Sequence, residues 1–249
     1  MKILGLILAR GGSVRVPRKN IRELAGRPLI YYIIRTAKKS RYINRVIVST
    51  DDEEIAEVAR RCGAEVPFYR PKELAREDSP EFEAIEHALN WLKKNEGYVP
   101  DLVVKLFPTS PFLRPETVDR AIELMLANPD ADSLRSVRLC KEHPFKMWII
   151  EDNRLRSFVP LEKKPRDAHS LPYQALPKVY IQNACIDVIR PMNIWEKKSV
   201  TGDEILPLVM DELESFDINT ELDFVIAEEI MKKRLARGEE PDEKSQRKN

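Results

Sequence analysis

The sequence predicts an α/β fold built on a mostly parallel, doubly wound sheet, and three observations carry that prediction. Short β-branched runs alternate with amphipathic helical segments through the first half of the chain, which is the pattern of repeated βαβ units. The runs are apolar throughout rather than alternating, as strands covered on both faces are. The loops richest in Gly, Arg, Asp and Ser come directly after those runs, at the strand ends where open α/β sheets bind ligands.

The elements follow in order. Residues 2–9 (KILGLILA) form the first strand and lead into LARGGSVRVPRKN at 8–20. That loop has glycines that let backbone approach a ligand, the Ser13 hydroxyl, and Arg10, Arg15, Arg18 and Lys19 as cations, so a polyphosphate is its expected guest. It is neither GxxxxGK[S/T] nor GxGxxG, and a basic surface loop is the plainer alternative. Residues 28–40 place Leu29, Ile33 and Ile34 on one helical face and end with Lys38 and Lys39, which suit a helix C-terminus. Arg45–Ser49 is a buried strand, and residues 52–62 a helix with Ile55, Val58, Ala59 and Cys62 in register and Gly63 just beyond its end. A short strand is expected at 64–69, a helix at 81–94, a strand at Leu102–Leu106 and a helix at 116–127. Between the last two lies a stiff loop with Pro108, Pro111 and Pro115. From 133 to 190 the pattern turns β-rich, with strands expected near 133–139, 145–150 and 178–189. Helical periodicity returns at 220–235, and 236–249 has the composition of a disordered tail. The expected division is a core of 1–132 with 191–235 and an insertion of 133–190.

With 249 residues the chain can bury a sizeable core. Charged residues make up 33% of it yet leave a net charge of +1, so nothing global points to nucleic acid or an anionic membrane, and any anion site is local. Cys62, Cys140 and Cys185 are scattered and lack CxxC spacing, which fits a reducing cytoplasm and argues against disulfides or structural zinc. Apolar runs are strand-sized and no signal-peptide pattern opens the chain, so the expectation is a soluble protein without a membrane span.

Six strings, in order, resemble the acylneuraminate cytidylyltransferase (CMP-sialic acid synthetase) family: LARGGS…PRKN, VIVSTDDEEIAEVAR, RPKELA, PTSPFLR, LPKVYIQNACIDVI and SFDINTELDF. The resemblance covers roughly residues 3 to 230 and implies a Rossmann-like domain of the nucleotide-diphospho-sugar transferase type, with a β insertion that pairs two subunits into a homodimer. It implies attack of a sugar-acid hydroxyl on the α-phosphate of CTP with loss of pyrophosphate, aided by Mg²⁺. Carried onto this sequence, Leu8, Ala9, Arg10, Gly12, Ser13, Arg15, Lys19 and Asn20 hold the triphosphate. Arg70, Asp78 and Ser79 lie on the nucleotide side. Phe107, Thr109, Ser110, His143, Tyr173, Gln174 and Asn183 fall on the sugar side, and Asp217 with Asn219 holds the metal. Lys19, Asp217 and Arg10 are the expected catalytic groups. Asp217 stands to do so at a strand end facing the glycine loop, since hard Mg²⁺ takes carboxylate and phosphate oxygens together. Helix capping is the plainer role for Asp217 and Thr220, and turn structure for His143.

The chain departs from the family where the sugar is read. Phe107 replaces a glutamine, Tyr173-Gln174 replaces an Arg-Gln pair, and Ile181 stands where a second arginine is expected, so the grip on the acid's carboxylate is missing from those places. Val14-Arg15 replaces a Lys-Gly pair, and Asn219 replaces a carboxylate. Transfer from GTP or another triphosphate, a different acceptor, and a nucleotide-binding module with weakened catalysis are the alternatives.

Overall fold

The computed structural model describes residues 1–12 and 16–238. Its strands, in chain order, are β1 (Ile3–Leu8), the short pair β2 (Glu23–Leu24) and β3 (Arg27–Pro28), β4 (Arg45–Ser49), β5 (Leu102–Leu106) and β6 (Ser133–Leu139). They continue with the pair β7 (Trp148–Glu151) and β8 (Arg154–Ser157), then β9 (Tyr180–Ile189) and β10 (Ile205–Val209). The helices are α1 (Leu29–Lys39), α2 (Glu53–Arg61), α3 (Glu81–Glu96), α4 (Pro115–Ala127), the short α5 (Pro191–Trp195) and α6 (Glu221–Ala236).

The main sheet has the order β10-β6-β9-β5-β1-β4. β5, β1 and β4 are parallel, as are β10 and β6, while β9 runs antiparallel between β5 and β6. Side chains alternate between two covered faces. Ile3 and Ile7 of β1 pack with Ile30, Ile33 and Ile34 of α1 and with α2 and α4, whereas Leu4 and Leu6 meet Ile85, Leu89 and Leu92 of α3. Both layers are fully buried, and each such aliphatic side chain contributes about 1.5–3 kcal/mol. A third cluster seats α6, through Phe224, Ala227 and Met231, on Leu24, Leu29 and Phe112. Covering both faces in this way makes the sheet doubly wound, as expected.

Several local expectations change. Residues 64–69 make only a bridge between Glu65 and Ile47 instead of a strand, because Pro67 cannot donate the next ladder bond. β10 and α5 were not foreseen, since Ile205 and Val209 of β10 are exposed and its centre is Pro207 at the sheet edge. β6 and β9 are strands of the main sheet, so the part of 133–190 that lies outside that sheet is 140–179, carrying β7 and β8. α6 ends at Ala236, and residues 239–249 of the expected disordered tail lie outside the described residues.

Candidate active site

β1 delivers the chain from Leu8 into the glycine loop at the carboxyl end of the sheet. Ala9 is buried, and its N–H donates to Ser49 O at 3.0 Å, tying the loop's entry to the end of β4. Gly11 N donates to Asp51 Oδ1 at 2.9 Å. A Cβ on Gly11 would lie 2.8 Å from Asp52 Oδ2, so any other residue there would have to displace the Asp52 side chain. Gly12 has open space around it. Ser13 and Arg15 lie outside the described residues.

On the far side of the loop Arg18 is left-handed, at φ +55°. Its guanidinium takes both oxygens of Asp52, at 2.6 and 3.3 Å, and also pairs with Glu54. Asp52 at the same time accepts from Ile55 N at 2.9 Å, capping α2. Burial raises the Asp52 pKa, but the Arg18 guanidinium and the Ile55 amide outweigh it and hold the carboxyl below the usual carboxylate range. Arg18 is therefore a tether of the loop, while Arg10 and Lys19 face the cleft. Asn20, buried, donates from Nδ2 to Arg10 O at 3.0 Å and shapes the turn. Lys19 Nζ donates to Ile218 O at 2.7 Å, joining the loop to the segment that follows β10.

Three adjoining recesses make one cleft. The first, about 410 Å³, is lined by Leu8, Arg10, Lys19, Asn20, Phe107, Thr109 and Asn219 among others. The second, about 290 Å³, shares Leu8, Arg10 and Glu77 with it and adds Arg70, Ser79 and Glu81. Arg70 is buried against Ser49, with Nε 3.1 Å from Oγ, and burial pushes its pKa down to about 10. Ser79 Oγ donates to Glu73 O at 3.0 Å. Asp78 is exposed on the neighbouring turn and does not line the recess. The third recess, about 380 Å³, shares Asn219 with the first and adds Asp217, Asn183, Arg138 and Lys141.

Asp217 does not end a strand. It sits in extended loop whose next residue, Ile218, donates its N–H to Thr109 O at 3.0 Å, so the PTSP loop carries it. Asn219 Nδ2 donates to Asp217 Oδ2 at 2.6 Å, while Oδ1 is buried without a hydrogen-bond partner. Burial pushes the Asp217 carboxyl above its usual range, against the opposing pull of Thr109, Asn219 and the Lys19 charge. Asp217 does not cap α6. Thr220 and Asp223 do that through a reciprocal capping box. An orphaned, partly desolvated carboxylate oxygen beside an amide oxygen and facing a cationic loop is the donor set a hard divalent cation accepts. No cluster of three or more His, Cys, Asp or Glu that could hold a metal occurs among the described residues, so the ion's remaining ligands would be phosphate oxygens and water.

The other sugar-side expectations divide. Phe107 and Thr109 line the first recess. Ser110 is buried and donates to Ala184 O at 3.3 Å, bracing the PTSP turn on β9. Asn183 lines the third recess; its Nδ2 donates to Ser215 Oγ at 2.8 Å, and its Oδ1 is buried without a partner. His143, Tyr173 and Gln174 line none of the three recesses. His143 is a buried turn residue: Nδ1 accepts from Phe145 N at 3.1 Å, which leaves Nε2 protonated to donate to Pro177 O at 3.0 Å. Tyr173 and Gln174 are exposed on a short turn of 140–179, with Lys146 Nζ 4.8 Å from the Tyr173 ring centre.

Sequence reasoning missed Glu81, Lys105, Arg138 and Lys141. Lys105 left a signal, being the single charge inside the apolar run LVVKL. The others stand among ordinary surface charges, and only the fold brings them to the cleft.

A family model described as Cytidylyltransferase matches residues 4–153. The CMP-N,N'-diacetyllegionaminic acid synthase of Legionella pneumophila is 34% identical over 233 residues, spanning 93% of this chain and 97% of that protein. The pseudaminic acid cytidylyltransferase of Campylobacter jejuni is 35% identical over 160 residues, 64% of this chain and 68% of the relative. Among solved structures, CMP:2-keto-3-deoxy-manno-octonic acid synthetase complexed with CTP superposes with a TM-score of 0.69 at 15% identity. It covers 94% of this chain and 100% of that one, a likeness of fold. With its ordered motifs, its cleft and these relatives, the chain belongs to the cytidylyltransferase family, on the side of the acylneuraminate enzymes, and is a nucleotidyltransferase.

Proposed function

We propose that the protein transfers CMP from CTP to a sugar acid of the legionaminic or pseudaminic kind and releases pyrophosphate. The observation that carries this reading is Asp217, whose Oδ1 is buried without a hydrogen-bond partner, lining one end of a cleft whose other end is lined by Arg10 and Lys19. Triphosphate lies along the first recess, with Arg10 and Lys19 as counter-charges and loop amides cradling oxygens. The base enters the second recess and the acceptor the third. A hydroxyl of the acceptor attacks the α-phosphorus, and the bond to the oxygen bridging to the β-phosphate breaks, placing the departing charge beside Lys19. A bound Mg²⁺ supplies charge neutralisation at the phosphates, and Asp217 with Asn219 would hold it.

The acid's carboxylate finds a cation in Arg138, which lines the acceptor recess from β6; Lys141 lines it from the segment after β6 and is paired there with Glu212. Arg138 lies directly opposite Ile181 in the β6–β9 register, so a guanidinium on the adjacent strand substitutes for one on β9.

A second copy of the chain completes the assembly. Trp148, Ile149, Ile150, Leu155, Phe158 and Leu161 are all exposed on 140–179, too many adjacent apolar side chains for a solvent-facing hairpin. A cytoplasmic homodimer is the corresponding reading. No helix among the described residues is long and apolar enough to cross a membrane. Incubation with CTP, Mg²⁺ and a panel of 2-keto-3-deoxy sugar acids should release pyrophosphate. Binding of CTP without turnover on any acid would favour the nucleotide-binding alternative.

A further inference from the structure

Lys105 is fully buried, only 1% exposed, in the middle of the sheet. Its ammonium pairs with Asp187 at 2.9 Å, the residue directly across the β5–β9 register, and Asp187 in turn takes Arg135 of β6 at 2.7 Å. Those bonds neutralise the buried lysine against one side of the sheet. Its remaining reach is outward: Nζ donates to Glu81 Oε2 and lies 4.2 Å from the centre of the Phe107 ring. Glu81 is the first residue of α3, half-exposed, and it lines the second recess beside Arg70, Arg76 and Ser79. Oε1 makes no hydrogen bond among the described residues. A buried ion pair is an expensive way to stabilise a fold, since well-packed apolar residues serve as well. One that ends on a half-open carboxylate at a binding cleft holds that carboxylate in one place.

We propose that Glu81, held by Lys105, reads the 4-amino group of the nucleobase and so selects cytosine over uracil. The inference rests on the second recess being the base site of the reaction proposed above. Cytosine presents an amino donor at C4, and carboxylates accept from that amino group where proteins read cytosine. Uracil presents a carbonyl oxygen at the same position, which a carboxylate repels. The acceptor atoms of cytosine, O2 and N3, then face the guanidinium donors of Arg70 and Arg76 that share the recess. Glu81 is thus the specificity-determining group. Lys105 is a positioning residue, acting through Glu81 and never on the base.

The test needs no acceptor. CTP and UTP are titrated separately into the full-length protein by calorimetry, with Mg²⁺, for the parent, Glu81→Gln and Lys105→Met. Glu81→Gln keeps size and the contact to Lys105 and gives an amide that can serve either base, so the CTP-to-UTP affinity ratio should fall by about tenfold or more, the scale of one polar base contact. Lys105→Met should lower the ratio too; a merely structural lysine would weaken both nucleotides together and leave it unchanged. Thermal unfolding run alongside identifies a Lys105→Met protein that does not fold, in which case Glu81→Gln decides alone. A parent that prefers CTP with an unchanged ratio in Glu81→Gln overturns this assignment. A parent that binds neither nucleotide overturns the underlying reading instead.

Discussion

Asp52 does two jobs with one carboxylate, and two substitutions separate them. Asp52→Ala removes the cap on Ile55 N, a loss of about 1 kcal/mol, and releases Arg18. The Arg18 and Asp52 side chains are 42% and 20% exposed, so that solvent-screened pair adds about 0.5–1 kcal/mol. The sum, about 1.5–2 kcal/mol, corresponds to a fall in Tm of about 3–8 °C at this chain length. Asp52→Asn retains a side chain that caps as well as Asp and loses only the charge, so its Tm should fall by about 1–4 °C. Both weaken the hold on the glycine loop and should raise the KM for CTP similarly. Scanning fluorimetry and initial-rate pyrophosphate release give the two readouts. The sign with pH is also set. Because the folded Asp52 pKa is depressed, its stabilisation is complete above the ordinary aspartate value of about 4 and fades as pH falls through the depressed value. Equal Tm losses in the two variants would refute the capping argument, and an unchanged KM in both would refute the tether.

Three further outcomes are expected. Asp217→Asn should cut kcat by about a hundredfold or more while raising Tm at neutral pH, since a carboxyl whose pKa is raised by burial costs stability once ionised; activity and melting curves measured together check both halves. Ile150→Glu, at a residue 74% exposed on the projecting hairpin, should convert the proposed dimer to a monomer in light scattering while changing the stability of the monomer by no more than about 0.5 kcal/mol. Gly202→Ala should cost about 2 kcal/mol or more by chemical denaturation, because Gly202 has φ +71° and its Cβ would collide with Asp132. That carboxylate, held near pKa 2 by Lys197 and two amides, anchors the turn before β10.

The legible parts of the molecule were those whose causes are local. β4 and β5 are apolar runs with nothing else to become, and α2 carries its own cap, periodicity and terminal glycine in eleven or so residues. The glycine loop's expected ligand class, a polyphosphate, came from its own composition. What was illegible depends on partners distant in sequence. Arg18 looks like another cation for phosphate until the fold sets it against Asp52 and Glu54. Lys105 looks like an interruption until Asp187 arrives beside it from β9. His143, Tyr173 and Gln174 were placed at the sugar by resemblance, but the chain carries them on 140–179, outside the three recesses. Asp217 was found by motif, yet its support, the PTSP backbone at Thr109, could be seen only in three dimensions.

The bond from Lys19 to Ile218 spans 199 residues, and this sets a schedule for the protein during its own synthesis. The nucleotide half of the cleft is encoded early and can form on the ribosome once β1, β4 and β5 have emerged. Its lysine then has no carbonyl to rest on, and the carboxylate opposite does not yet exist. On the proposed roles of Lys19 and Asp217, a nascent chain that has formed its sheet strands is still chemically silent until the segment before α6 has emerged. Truncations ending before Asp217 should be inert and, with Leu24, Leu29 and Phe112 uncovered by the loss of Ile218 and α6, prone to aggregate.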